Sequence, residues 1–174
     1  KRGVRVSQEG IGFESAVQVT GLRTNPVWHL DLRVPETAMA VTNPVCRASA
    51  MVGAEARVRY GAQVLAAEGE MWARDGAVRF AASGGVQNVA AGFGRTAVRL
   101  RVPACAVSAP DQAVGELSVE LTNGWARADD RMAIEGLHAF VPLRGSLRDG
   151  VTGLAGQRFA WKLWDVEGTR WEAE

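Results

Sequence analysis

The sequence has few of the residues on which most enzyme active sites depend. Its 174 residues include two histidines, two cysteines and one tyrosine, and Lys1 and Lys162 are the only lysines. His29 is two positions from Asp31, which is more typical of a hydrogen-bonded strand histidine than of a metal ligand, and His138 is expected at an exposed or edge position. No GxSxG elbow and no GxxxxGK phosphate loop occurs. We therefore expect no catalytic residue, no metal and no cofactor.

Long hydrophobic runs and a charge excess are also missing. The longest apolar runs, such as VPACAV, are far shorter than the roughly 20 residues of a membrane-spanning helix, and no signal-peptide pattern opens the chain. With 20 basic and 19 acidic residues, no strong field is available to attract nucleic acid. Cys46 and Cys105 form no CxxC pattern, so we expect buried reduced thiols rather than a disulfide. These absences predict a soluble protein without membrane insertion or direct nucleic-acid binding.

Alternation with period two dominates the sequence that remains. HLDLRV, AVRLRVP, ELSVELT and RFAWKL each place apolar residues at every second position, and glycine or proline interrupts every candidate helix. The pattern predicts an all-β protein of about 8 to 12 short antiparallel strands with little helix. We expect residues 1–174 to form one β-barrel or jelly-roll sandwich domain.

Glycine-containing dipeptides suggest four tight hairpins, at Glu9-Gly10, Asp75-Gly76, Asn123-Gly124 and Glu167-Gly168. The registers that follow pair Val6 with Phe13, Ala73 with Val78, Leu121 with Ala126, and Trp164 with Trp171. An uninterrupted strand is predicted over 55–66, and long loops are predicted over 83–94 and 144–157.

Arginines recur at alternate positions of two predicted strands, Arg57 with Arg59 and Arg99 with Arg101. The same spacing on a nucleic-acid-binding groove would be accompanied by aromatic residues, which are missing here. We therefore interpret these rows as a solvated sheet face balanced by carboxylates such as Glu120.

The end of the chain carries most of the aromatic surface. In the predicted terminal hairpin, Phe159, Trp161 and Leu163 share one face, whereas the other face holds Trp164, Val166 and Trp171. Either one of the chain's own loops or another subunit covers the second face, and we expect docking at a subunit contact. The candidate interface residues are Trp161, Trp164, Val166 and Trp171.

These features together resemble those of a single jelly-roll viral capsid protein. More narrowly, the all-β pattern, the paired hairpins, the apolar terminal strands and the Arg/Ala/Gly/Trp-rich composition are similar to the smaller major capsid protein of tailless, internal-membrane icosahedral phages of thermophilic bacteria. The resemblance implies a non-enzymatic structural protein of the virion, made in the host cytoplasm. It further implies self-association into dimers or larger assemblies, beside a second, larger capsid protein.

Two other functions fit the same sequence. A carbohydrate-binding β-sandwich module would present outward aromatic residues, here Trp72 with Trp125. Another phage or cell-envelope assembly component, such as a tail or head-decoration protein, would share the same composition and strand pattern.

Overall fold

A computed structural model shows that about 80% of the residues it describes are in β-strands. It describes the backbone of all residues except 1–4, 9, 11, 22, 24, 82–87, 130–131, 147, 155, 166–169 and 174. For the strand residues 5–8, 161–165 and 170–173, only the backbone is described.

Eleven strands and one short helical turn make up the described structure. The strands are β1 (Arg5–Gln8), β2 (Glu14–Thr20), β3 (Val27–Thr42), β4 (Cys46–Gly61), β5 (Val64–Phe80), β6 (Val89–Ala106), β7 (Gly115–Ala128), β8 (Met132–Ser146), β9 (Gly150–Gly153), β10 (Arg158–Asp165) and β11 (Arg170–Ala173). A 3-10 turn, Pro110–Gln112, precedes β7. The predicted all-β class, with 8 to 12 antiparallel strands and little helix, is confirmed.

All eleven strands belong to one antiparallel sheet that is not closed. From β3 to β8, each long strand pairs with the next strand of the chain, so the centre of the sheet is a meander. At one side, β1 and β2 pair with different ends of β3; at the other, β9 and β10 pair with different ends of β8, and β11 extends β10. The architecture is consistent with the predicted all-β sandwich or barrel-like fold, although the sheet is not closed.

The two strongest hairpin predictions are wrong. The dipeptides Asp75-Gly76 and Asn123-Gly124 lie inside β5 and β7, which run through them without turning. Asp75 and Asn123 each adopt φ of 52°, and the ladder shifts its register at both places. The same left-handed conformation that suits a tight turn also suits a β-bulge, where one strand carries an extra residue.

The other predicted registers also differ from the structure. β4 and β5 are joined at Ala62-Gln63, where both residues have positive φ, so the predicted strand over 55–66 contains a turn. β1 pairs with β3 rather than with β2, so Val6 does not face Phe13.

In the last hairpin, Leu163 pairs with Trp171 and Trp164 with Arg170. This register is one residue away from the predicted one, because an odd rather than an even number of residues separates the paired positions. Residues 89–94 of the predicted loop 83–94 belong to β6, and residues 144–146 and 150–153 of the loop 144–157 belong to β8 and β9.

The bulges keep each strand in phase with the sheet. In β3, Val34 and Thr37 pair with Ala54 and Val52, so one extra residue separates them. Side chains alternate between the two faces of a strand. With one extra residue, the apolar side chains occupy even-numbered positions before the bulge and odd-numbered positions after it, and they all remain on the same face. Comparable register shifts occur at the same level between β4 and β5 and between β7 and β8.

Large side chains cover glycines on neighbouring strands near this band. A Cβ atom on Gly53 would lie 2.7 Å from the Trp72 ring, and one on Gly76 would lie 2.1 Å from the Phe93 ring. Each glycine therefore leaves room for the ring opposite it, as in the aromatic covering of strand glycines.

We predict that Gly76→Ala destabilises the fold by about 1–3 kcal/mol, because the added methyl group forces the Phe93 ring from its position. Gly115→Ala is the matched control: its Cβ would meet no atom closer than 3.7 Å, so it should be neutral or slightly stabilising. Urea unfolding midpoints measure both changes, and equal midpoints for the two variants would contradict the packing described here.

Candidate binding faces of the sheet

One face of the sheet is apolar throughout its long strands. Cross-strand partners project to the same side, so the register defines continuous rows. Three of these rows are Leu32–Ala56–Gly69–Leu100–Leu117–Leu143, Val34–Ala54–Met71–Val98–Val119–Val141 and Val41–Ala48–Val78–Ala91–Ala126–Ile134. No paired position on this side of β3 to β8 carries a charged residue. We call this side the apolar face.

The opposite side, the charged face, carries rows of ionisable residues. One row reads Asp31–Arg57–Glu68–Arg101–Glu116–Arg144, in which the sign of charge alternates at every step. Arg57 lies 3.6 Å from the Asp31 carboxylate and 3.4 Å from that of Glu68. This arrangement agrees with the predicted solvated arginine rows balanced by carboxylates.

Glu70 is the centre of the best-connected ion-pair network on the charged face. Its carboxylate binds Arg95 and lies 3.1 Å from Nε of Arg99. A terminal nitrogen of the Arg99 guanidinium lies 2.9 Å from the Glu120 carboxylate. The hydrogen bond to Glu70 is the main cause that raises the pKa of Arg99 above its usual value. Arg99 therefore keeps its positive charge at neutral pH, so it remains paired with both carboxylates.

The described residues contain almost no buried core. Ala97, at 2% exposure, is the only hydrophobic residue among them that is fully buried, whereas Met71 and Leu100 on the apolar face are 62% and 50% exposed. The chain exposes 12288 Å², compared with roughly 8,000 Å² for a compact folded monomer of this length. The chain therefore exposes roughly 4,000 Å² more than a compact monomer, and the apolar face is part of that exposed surface.

The apolar face forms an open groove at the end of the sheet where β5 and β7 end. The groove has a volume of about 480 Å³, and its lining runs from Met39 and Val41 on β3 to Ile134 and Leu137 on β8. Residues from six successive strands thus approach a common space. Its floor includes Ala91 and other small residues, which leave room above the backbone.

Three of the four candidate interface residues predicted from the sequence lie at one side of the sheet. Trp161 and Trp164 belong to β10 and Trp171 to β11, but their side chains and the whole of Val166 are outside the described residues. Their role as an interface stays a prediction. The sequence did not reveal the apolar face, because its rows become visible only when the bulges are known.

The tryptophans proposed for a carbohydrate site are both on the charged face. Trp72 donates a hydrogen bond from Nε1 to Glu36 at 3.1 Å, and its ring lies over Gly53. Trp125 lies over Gly92, and the Arg127 guanidinium stands 5.8 Å from its ring centre. Each indole is half-buried and is occupied by contacts within the sheet.

The remaining polar candidates are not gathered into a reactive site. Cys46 and Cys105 are free and half-buried rather than fully buried. The part of the chain that the structure describes contains no group of three or more His, Cys, Asp or Glu side chains placed to hold a metal ion. Within the same described ranges, no helix has the length and apolar character needed to cross a membrane.

No family model matches the chain, and no curated protein or solved structure matches it.

We predict that Glu70→Gln lowers the free energy of unfolding by about 1–3 kcal/mol, because two arginines lose their charged partner. Glu68→Gln, on the same strand and face, should cost less than about 0.5 kcal/mol, because the Glu68 side chain is 56% exposed whereas that of Glu70 is 20% exposed. Chemical unfolding at pH 7 in low salt makes the comparison. Equal losses would show that the network stabilises the sheet no more than an isolated surface pair.

Proposed function

We propose that this protein binds the hydrocarbon chains of lipids or fatty acids on its apolar face, without catalysing a reaction. The observation that carries the proposal is the apolar face itself: six long strands contribute to it and none of their paired positions on that side is charged. An acyl chain has neither charge nor hydrogen-bonding groups, so it is complementary to such a surface. Binding removes apolar area from water on both partners, at roughly 25 cal/mol per Å².

The composition of the face favours hydrocarbon over a protein partner. Homodimer interfaces are only about 65% apolar, and they contain roughly one hydrogen bond per 100–200 Å². On the apolar face the side chains that can form hydrogen bonds are few; they include Thr37, Tyr60 and Thr96. A protein surface with ordinary polar groups would lose bonds to water here without replacing them.

The groove gives the proposed ligand a defined place. Its volume of about 480 Å³ is within the roughly 300–1,000 Å³ typical of small-molecule sites, which are also mainly apolar. Val41, Val78, Ile134 and Leu137 supply aliphatic walls. The aliphatic lining selects a flexible hydrocarbon chain whose cross-section fits the groove, and it does not rely on particular polar contacts.

We predict that Ala91→Glu weakens acyl binding at least about tenfold, because a carboxylate on the groove floor must stay hydrated. Ala90→Glu is the matched control, since Ala90 precedes it on the same strand but lies on the charged face between Arg79 and Arg127. Titration with the fluorescent fatty acid cis-parinaric acid, followed by displacement with palmitate, measures both affinities.

Ala91→Leu gives a second test that introduces no charge. The larger side chain fills part of the groove while keeping it apolar, so palmitate should bind more weakly although the fold is retained. Unchanged palmitate affinity in both Ala91 variants, with normal circular dichroism, would exclude the groove as the acyl site.

Self-association is the second candidate function, and it is favoured by the size of the exposed surface. Two copies together carry an excess of roughly 8,000 Å², which is enough for packing of their apolar faces to bury the roughly 2,000–5,000 Å² typical of an obligate homodimer. Face-to-face packing of two sheets about 10 Å apart is also the ordinary way to bury such faces. A structural building block of a virion, as the capsid resemblance implies, is the more specific form of this proposal.

We predict that Leu100→Glu, on the exposed part of the apolar face, reduces self-association if copies pack through that face. Ser118→Glu is the matched control, because Ser118 neighbours Arg99 on the charged face and a glutamate there gains a partner. Sedimentation equilibrium over a range of concentrations distinguishes the outcomes: a dimer in the parent and the control but a monomer in Leu100→Glu supports the candidate. A monomeric parent protein at all concentrations rules it out.

A further inference from the structure

The charged face ends in a row of arginines that breaks the alternation of charge. Near the strand ends next to the groove, the paired positions with described side chains are Thr42, Arg47, Arg79, Ala90, Arg127 and Ala133. Three of these six positions are arginine and none is acidic. The row Asp31–Arg57–Glu68–Arg101–Glu116–Arg144 on the same face shows how the sheet neutralises charge elsewhere.

Arg47 and Arg79 are the central pair of this row. They are directly opposite each other on β4 and β5, and both are exposed. Among the described residues, neither has an ion pair or a side-chain hydrogen bond, whereas Arg127 in the same row lies 2.8 Å from Glu135. Their neighbours on the same face, Ser49 and Ala77, carry no charge. Like charges directly opposite on an antiparallel pair destabilise it.

We propose that Arg47 and Arg79 form a binding site for a phosphoryl group. Neighbouring strands are roughly 4.8 Å apart, so the two guanidinium groups can approach one tetrahedral anion together. Each guanidinium offers a planar pair of donors that matches phosphate oxygens, and a dianion neutralises both charges at once. The bound anion thereby converts the repulsion between the two arginines into attraction to a shared ligand.

The phosphoryl group belongs either to free phosphate or to a lipid headgroup. The arginine row is adjacent in sequence to the groove row, because Arg47 precedes Ala48 and Arg79 follows Val78, and both rows lie at the same end of the sheet. The site itself does not rest on the proposed acyl binding, since its residues are on the other face.

Isothermal titration of the full chain with inorganic phosphate tests the site. Arg79→Gln should weaken phosphate binding at least about tenfold, whereas Arg59→Gln, which removes the same charge from the same face outside the row, should leave it unchanged. Arg79→Glu should abolish phosphate binding and raise the melting temperature, because it places opposite charges at the Arg47 pair. No heat with millimolar phosphate, or equal weakening by Arg59→Gln and Arg79→Gln, would overturn the proposal.

A parallel titration with dihexanoyl phosphatidic acid identifies the source of the phosphoryl group. Tighter binding than inorganic phosphate, with the gain lost in Ala91→Glu, indicates a lipid headgroup whose chains use the groove. Equal affinity for both probes, unaffected by Ala91→Glu, indicates free phosphate at the same two arginines. If Ala91→Glu loses acyl binding but retains phosphate binding, the phosphoryl site stands independently of acyl binding.

Discussion

The separation of apolar and charged side chains onto opposite faces of a single sheet is the constraint on which the rest of the structure depends. Most proteins bury an apolar sheet face under a second layer, but the described residues supply no such layer, and Met71 and Leu100 remain exposed to solvent. Hydrophobic burial cannot be completed within these residues. Both candidate functions, acyl binding and self-association, are therefore ways of covering the same face.

The bulges make that separation possible over strands of up to 18 residues. A long strand twists, and extra residues in β3 and in β5 to β8 change the direction of the strands while keeping the apolar side chains on one side. Asp75 and Asn123 tolerate the left-handed conformation that the bulges require. Rings such as those of Trp72 and Phe93 cover the glycines at this level, so the band that bends the sheet is also its most closely packed part.

The charged face behaves differently along its length. Where the sign of charge alternates, as from Asp31 through Arg57 to Glu68, the charged side chains pair with one another and remain hydrated. This part of the face therefore offers little binding energy to a ligand. Among the described residues, the paired Arg47 and Arg79 have no such compensation. An uncompensated pair lowers the stability of the fold. It is therefore a stronger indication of a ligand site than the many arginines that have partners.

The sequence determined the all-β class, the alternation of the strands and the balanced arginine rows, because each of these is a local property with period two. Turn position and register could not be determined in the same way. Asp75-Gly76 and Asn123-Gly124 satisfy the local requirements of a tight turn and of a bulge equally well, whereas the turn at Ala62-Gln63 has neither glycine nor asparagine at its two central positions. Only pairing with neighbouring strands decides between turning and continuing, since the hydrogen bonds and the apolar face must remain in phase across the whole sheet. Strand pairing also decided the candidate site, because a face built from six strands exists only once their registers have been set.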